Sequence, residues 1–364
     1  MPKQQDDDIM PQGLISVINK LIWVIVILVI GLISMPFVFN NNNHPSKPTE
    51  TVQSIPYKTE NTKKDEAVYW IAPDVSNITD IKHKDQVEYG KELIAHTAKY
   101  LGPNGSVLKI SNGMNCQNCH LQAGTAIFAN NYGSVASLYP KFRARSGAVE
   151  NIYKRVNDCF ERSLNGKAID TAGKEMQAIV AYINFLGTNV KKGEKAAGSG
   201  FKDVAYLDRV ANPANGLTIY TTKCQSCHQT NGEGLLNPDK TEFTYPPLYG
   251  KSSFNDGAGL NRISNFVKYV KYNMPQGTTY QNPQLSDEDA WDVAAYVLSK
   301  KRQHINVPKD WPEKSKKPFD HPFGPYADKF TEVQHRFGPF KPIIDEQKKI
   351  ETETKNKTIA SINK

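Results

Sequence analysis

Two copies of one short string constrain this chain more than any other feature: Cys116-Gln-Asn-Cys-His120 and Cys224-Gln-Ser-Cys-His228. Each reads C-x-x-C-H, the attachment signature of a c-type haem. The two thiols of such a string add across the haem vinyl groups, and the adjacent histidine ligates the iron from the proximal side. Tight spacing is needed because both thioethers and the Fe–N bond come from one helical turn. A zinc knuckle also uses C-x-x-C, but it needs a second ligand pair to complete each tetrahedron. A thioredoxin-like redox pair has no use for the trailing histidine. Glycines follow each copy, at Gly124 and Gly232. The expectation is two covalently bound haem c groups, attached through Cys116, Cys119, Cys224 and Cys227, with His120 and His228 on iron.

The helical pattern around each string also repeats. Residues 87–100 carry apolar side chains at helical spacing and stop at Leu101-Gly-Pro, and residues 175–186 form a second amphipathic stretch ended by Gly187. After the second string the order recurs: Asn212-Pro213 opens a helix through Tyr220, and residues 285–298 supply a closing helix with Ser286 as N-cap. Helix, C-x-x-C-H, irregular loops and an aromatic-bearing closing helix is the order of the cytochrome c fold. The expected class is mainly α, with two cytochrome c-type domains in tandem, at 68–189 and 207–304, joined by a basic, glycine-bearing linker at 190–206.

At 364 residues the chain has room for more than these two units. A short segment, 1–20, precedes an apolar run at 21–39 of the length that spans a bilayer. This run exceeds the usual h-region of a cleaved signal and lacks a small-x-small site near its end, so it reads as an uncleaved transmembrane signal anchor. Residues 40–67 are polar and aperiodic, a flexible tether. Beyond Arg302, residues 305–348 are rich in Pro, Lys and aromatics and read as an extended C-terminal arm over the domains, with a loose tail at 349–364. The net charge of +8 suits a small anionic substrate or an acidic membrane surface. Nucleic acid is excluded by the lack of any such motif and by the compartment that haem c implies. That compartment is the periplasm, with the chain anchored to the inner membrane and served by a periplasmic or membrane redox partner.

Four of the 5 cysteines belong to the two strings, so the fifth, Cys159, has no partner for a structural disulfide. One reading is an inert buried thiol packed as a small apolar residue; the other is a functional thiolate, an axial ligand or a nucleophile. Cys159 falls on a predicted helix over 148–164 that ends at Asn165-Gly166. Arg155 lies four residues before it, and Arg162 and Ser163 three and four after, all on its face. Guanidiniums favour a thiolate and make a landing site for a dianion, and a serine hydroxyl donates to its oxygens. Arg143, Arg145 and Lys154 add positive charge nearby. In the second unit Met274, before Pro275, is the expected distal ligand of the second haem, where a neutral thioether favours ferrous iron. Lys271 is the runner-up. The first unit has no methionine in the equivalent place; Cys159 sits there.

The string from Arg155 to Gly166 (RVNDCFERSLNG), between the two C-x-x-C-H motifs, resembles the dihaem thiosulfate dehydrogenase family. The runs 324–328 and 334–340 are similar to that family's closing arm. The resemblance, which spans about residues 70–345, implies His120 and Cys159 on a first, catalytic haem, with Arg145, Arg155 and Ser163 binding substrate. It implies His228 and Met274 on a second, electron-accepting haem. Asn273 stands where some members carry a lysine able to replace the methionine. The implied reaction joins two thiosulfates into tetrathionate and is reversible. Two alternatives account for the haems: an electron-carrier cytochrome without substrate chemistry, and a cytochrome that transfers thiosulfate to a partner's cysteine.

Overall fold

The computed structural model describes residues 20–28 and 68–362. Residues 20–28 are helical and exposed; most of the expected anchor at 21–39 and the whole tether at 40–67 lie outside the described residues. Among the described residues no helix is long and apolar enough to cross a membrane.

The unit from Glu66 onward is mainly helical. Its first half carries α1 (Ile81–Ala95) and α2 (Thr97–Leu101) before the first C-x-x-C-H string, then α3 (Ile152–Arg162) and α4 (Lys174–Leu186). Asp80 caps α1, accepting from the backbone of Lys82 and His83, which satisfies amide groups that have no intrahelical partner. The second half repeats this order with α5 (Pro213–Lys223), α6 (Ile263–Asn273) and α7 (Asp287–Ser299). Asn212 caps α5 with Pro213 in its first turn, and Ser286 caps α7 by accepting from the amide of Asp289 at 3.0 Å.

The same crossing holds each half together. Gly90 of α1 meets the backbone of α4, where a Cβ would collide with the Ala178 carbonyl and lie 2.8 Å from Tyr182 Cβ. Gly216 of α5 meets α7 in the same way, against the Asp292 carbonyl and 2.7 Å from Tyr296 Cβ. Glycine is needed at both because the helix backbones touch. Behind the crossings lie two apolar cores, one around Leu93, Met176, Ile179 and Tyr182, the other around Tyr220, Phe266, Trp291 and Val297.

Two expectations are corrected here. The helix expected over 148–164 begins only at Ile152, because Ala148–Glu150 forms a strand, β2, paired antiparallel with Lys141–Arg143, β1. Asn151 then caps α3 by accepting from the Lys154 amide at 2.9 Å. The C-terminal region is also not simply extended with a loose end: it holds α8 (Glu332–Phe337) and α9 (Lys341–Ile362). After Pro342 no Gly or Pro interrupts the segment, and Ile343 anchors the start of α9 in the second core.

The two halves meet through polar contacts beside the first string. Glu242 accepts from Asn115 Nδ2 at 2.7 Å and contacts His96 Nδ1 at 3.1 Å. Tyr269 donates to the Asn118 carbonyl at 2.7 Å, and Asn255 donates to the Glu161 carbonyl at 2.8 Å.

Candidate active site

Each C-x-x-C-H string opens onto a largely apolar cleft. The first, with about 890 Å³ of free space including its mouth, is lined by Cys116, Cys119 and His120 on one side and by Arg155, Cys159 and Ser163 from α3 on another. The second, about 1460 Å³, is lined by Cys224, Cys227, His228 and Met274. Both volumes are in or above the range of cofactor sites. None of the five cysteines is joined in a disulfide.

Both histidines are held through Nδ1. His120 donates through Nδ1 to the Asn130 carbonyl at 2.6 Å and stacks on Tyr132 with ring centres 4.4 Å apart. His228 donates through Nδ1 to the Pro246 carbonyl at 2.8 Å. Such bonds fix the tautomer that leaves Nε2 for a metal. Burial keeps both rings neutral: it pushes His120 down to about 4, against the Asn130 bond, and lowers His228 against the Pro246 bond. Thiols at this spacing, neutral imidazoles whose Nδ1 is already engaged and an apolar cleft together fit haem c; His120 Nε2 meets the Asn130 side-chain amide at a long 3.5 Å.

Met274 follows the last residue of α6 and lines the second cleft. Lys271, the runner-up ligand, is spent elsewhere: its ammonium donates to the Leu285 carbonyl at 2.5 Å and pairs with Asp287 at 2.8 Å. Asn273 lines the cleft and donates to the Tyr269 carbonyl at 3.0 Å.

Next to the first cleft lies a more polar space that shares Cys119, His120, Arg155, Cys159 and Ser163 with it and adds Arg143, Arg145 and Arg162. Arg155, Arg162 and Ser163, expected on the face of Cys159, line this space with it; Arg155, Cys159 and the C-cap Ser163 stand at i, i+4 and i+8, which superpose on a helix. Arg155 is pushed above its ordinary value, first by the charge of Cys159 and with help from Tyr139, Asp158 and Glu150, while burial opposes. Arg145, in the turn after β1, is pushed down to about 10 by burial and then by Arg162 and Arg155. Its Nη1 reaches the Gly257 carbonyl only at 3.4 Å, and its buried Nε has no hydrogen-bond partner. Arg162 is different. It grips Asp310 through two bonds, of 2.9 and 3.0 Å.

Sequence reasoning missed the far wall of this space. Gly259, Leu260, Arg262 and Asn265 come from the second domain and Trp311 from the C-terminal arm. No local pattern marks these residues, because the contacts that bring them close are long-range.

Residues 108–191 match the family model described as SoxA/TsdA, cytochrome c domain, and residues 213–301 match the model for cytochrome c. The thiosulfate dehydrogenase of Psychrobacter arcticus is 39% identical over 243 residues, covering 66% of this chain and 71% of that protein. That of Allochromatium vinosum is 34% identical over 223 residues, covering 60% and 81%. The solved structure of thiosulfate dehydrogenase (TsdBA) from Marichromatium purpuratum, in its as-isolated form, superposes with a TM-score of 0.60 at 26% identity. The match covers 75% of this chain and 54% of that one. Two cytochrome c domains, each with its string facing an apolar cleft, define a tandem c-type cytochrome. Within that class the chain belongs to the thiosulfate dehydrogenase family, oxidoreductases of the cytochrome c type.

Proposed function

We propose that this protein oxidatively joins two thiosulfates into tetrathionate, releasing two electrons, and runs the reaction in reverse on tetrathionate. The observation that carries this reading is the convergence of Cys159, Arg155 and Ser163 on the cleft that holds Cys116, Cys119 and His120. Cys116 and Cys119 would attach one haem, with His120 and Cys159 on its iron. Cys224 and Cys227 would attach the other, with His228 and Met274. When bound, the two haems supply one-electron acceptors, the thiolate-ligated one lower in potential than the thioether-ligated one.

The chain's own residues then do the sulfur chemistry. A bond forms between Cys159 Sγ and the sulfane sulfur of one thiosulfate, two electrons depart, and the cysteine carries an S-thiosulfonate. The sulfane sulfur of a second thiosulfate attacks that sulfur. Tetrathionate leaves, the Cys159 thiolate is restored, and no proton is consumed. Two dianions about 5 Å apart repel by about 13 kcal/mol at an effective dielectric near 20. Arg155 and Arg145 offset this repulsion, and the Ser163 hydroxyl donates to a sulfonate oxygen. Because C-x-x-C-H attachment is completed outside the cytoplasm, this reading places the site in the periplasm. The run 21–39 would tether it to the inner membrane, and a periplasmic or membrane redox protein would take the electrons.

The test is to measure thiosulfate oxidation and tetrathionate reduction in one preparation, with acceptor and donor dyes. Cys159→Ala should abolish both while the denatured mass still shows two attached haems. Wild-type rates in that variant would remove Cys159 from the chemistry, and no thiosulfate turnover in the wild type would make the protein an electron carrier. Turnover only with a partner protein's cysteine would make it a transferase.

A further inference from the structure

We propose that Asp310 and Trp311 form a strap from the C-terminal arm that positions Arg145 for the substrate's sulfonate and removes Arg162 from substrate binding. This rests on the thiosulfate reading above.

The three arginines around Cys159 do not stand alike. Asp310 meets Arg162 through both carboxylate oxygens, at 2.9 and 3.0 Å, and its Oδ2 lies 4.0 Å from Arg145 Nε. A bidentate carboxylate matches the fork of one guanidinium and cannot serve a second in the same way. Arg162 is therefore neutralised. Arg145 keeps a charge with only one long hydrogen bond, facing the space shared by Cys159 and Ser163.

Trp311 fixes where that charge sits. Its amide donates to the Arg145 carbonyl at 2.7 Å, and its ring lies 5.8 Å from the guanidinium carbon, within reach of a cation–π contact. The residue has φ +58, a region that bulky side chains rarely adopt. Neighbouring contacts hold it there. Pro312 packs on Gly147 of the same turn as Arg145, where φ is +67 and a Cβ would lie 2.7 Å from Pro312 Cγ. The arm is thus fastened to the turn at Arg145 and again two residues on, at Gly147. Neither Asp310 nor Trp311 need touch the reacting sulfur; both act through arginines.

The experiment uses the full-length holoprotein with Trp311→Leu, Trp311→Phe and Asp310→Asn. It reads thiosulfate KM and kcat with a dye acceptor, together with the haem spectrum. Trp311→Leu should raise KM by about tenfold with kcat within about twofold and the spectrum unchanged, and Trp311→Phe, which keeps a ring face, should recover most of the loss. Asp310→Asn leaves one more uncompensated cation beside Arg145, so its KM should climb more steeply with ionic strength than that of the wild type. This arm decides the matter if the leucine variant does not fold. A wild-type KM in Trp311→Leu overturns the strap. So does a joint fall of kcat and change of spectrum that phenylalanine does not rescue, or an unchanged salt dependence in Asp310→Asn. Absence of thiosulfate turnover in the wild type would overturn the proposed function instead, and it is seen before any variant is made.

Discussion

Replacing Arg155 with glutamine isolates the charge at the heart of the site. Arg155 lies one helical turn before Cys159 on α3 and lines both the cleft and the polar space beside it. Its guanidinium is held charged, mainly by Cys159. Glutamine keeps a donor and much of the length but loses the charge. A charge-assisted hydrogen bond contributes about 1.5–3 kcal/mol, so thiosulfate KM should rise between roughly tenfold and 160-fold. The fall in kcat should be smaller, because Cys159 and both sets of haem ligands remain. Initial rates over a thiosulfate series, with acceptor dye in excess, give both constants. Repeating the series at about 0.05 and about 0.5 M salt should narrow the ratio to wild type, since a site with one cation fewer depends less on ionic strength. An unchanged KM with a collapsed kcat would refute the reasoning and make Arg155 a support for the cysteine rather than a contact for the anion.

Other outcomes follow from the same structure. Met274→Ala should remove the near-infrared sulfur-to-iron band and lower the potential of the second haem while leaving the first unchanged; a persistent band excludes Met274 as ligand. Gly90→Ala and Gly216→Ala should each lower the melting temperature, because the added methyl presses on the facing helix backbone at a cost of about 1–3 kcal/mol; wild-type melting would show that the crossings yield. Burial pushes Asp292 up, but Arg209 and the Asn212 amide hold it lower than an ordinary aspartate overall. A depressed carboxyl contributes stability above its unfolded value and loses it as pH falls toward the folded one. Asp292→Asn should therefore flatten the decline in melting temperature below about pH 4, and an unaltered acid profile would remove Asp292 from the account.

The parts of this protein that are local in sequence were legible there. The caps Asn212 and Ser286, the helix over 174–186 and the shared face of Arg155, Cys159 and Ser163 all follow from spacing within one or two turns. The failures have physical causes. Ala148 and Val149 continue an apolar pattern into α3, yet pairing with β1 takes them into a strand. Lys271, only the runner-up beside Met274 in the sequence, is claimed by Asp287 and the Leu285 carbonyl, which local spacing does not show. Arg162 looked equivalent to Arg155 until its partner came into view, 148 residues along the chain. The tail at 349–364 looked loose because polarity was weighed above the lack of any Gly or Pro to break it, and α9 runs to Ile362.

The wall that the second domain lends to the first domain's site bears on modularity. Leu260, Arg262 and Asn265 face the same space as Cys159, so this chamber belongs to neither half alone. A first domain expressed by itself would keep its string and its cysteine but open the chamber to bulk water. Grafting a foreign second domain would redraw one side of it. An engineer seeking to retune substrate choice would therefore have to treat the pair as one unit of design, and a lineage that began with a single such domain could have gained this chamber only after acquiring its neighbour.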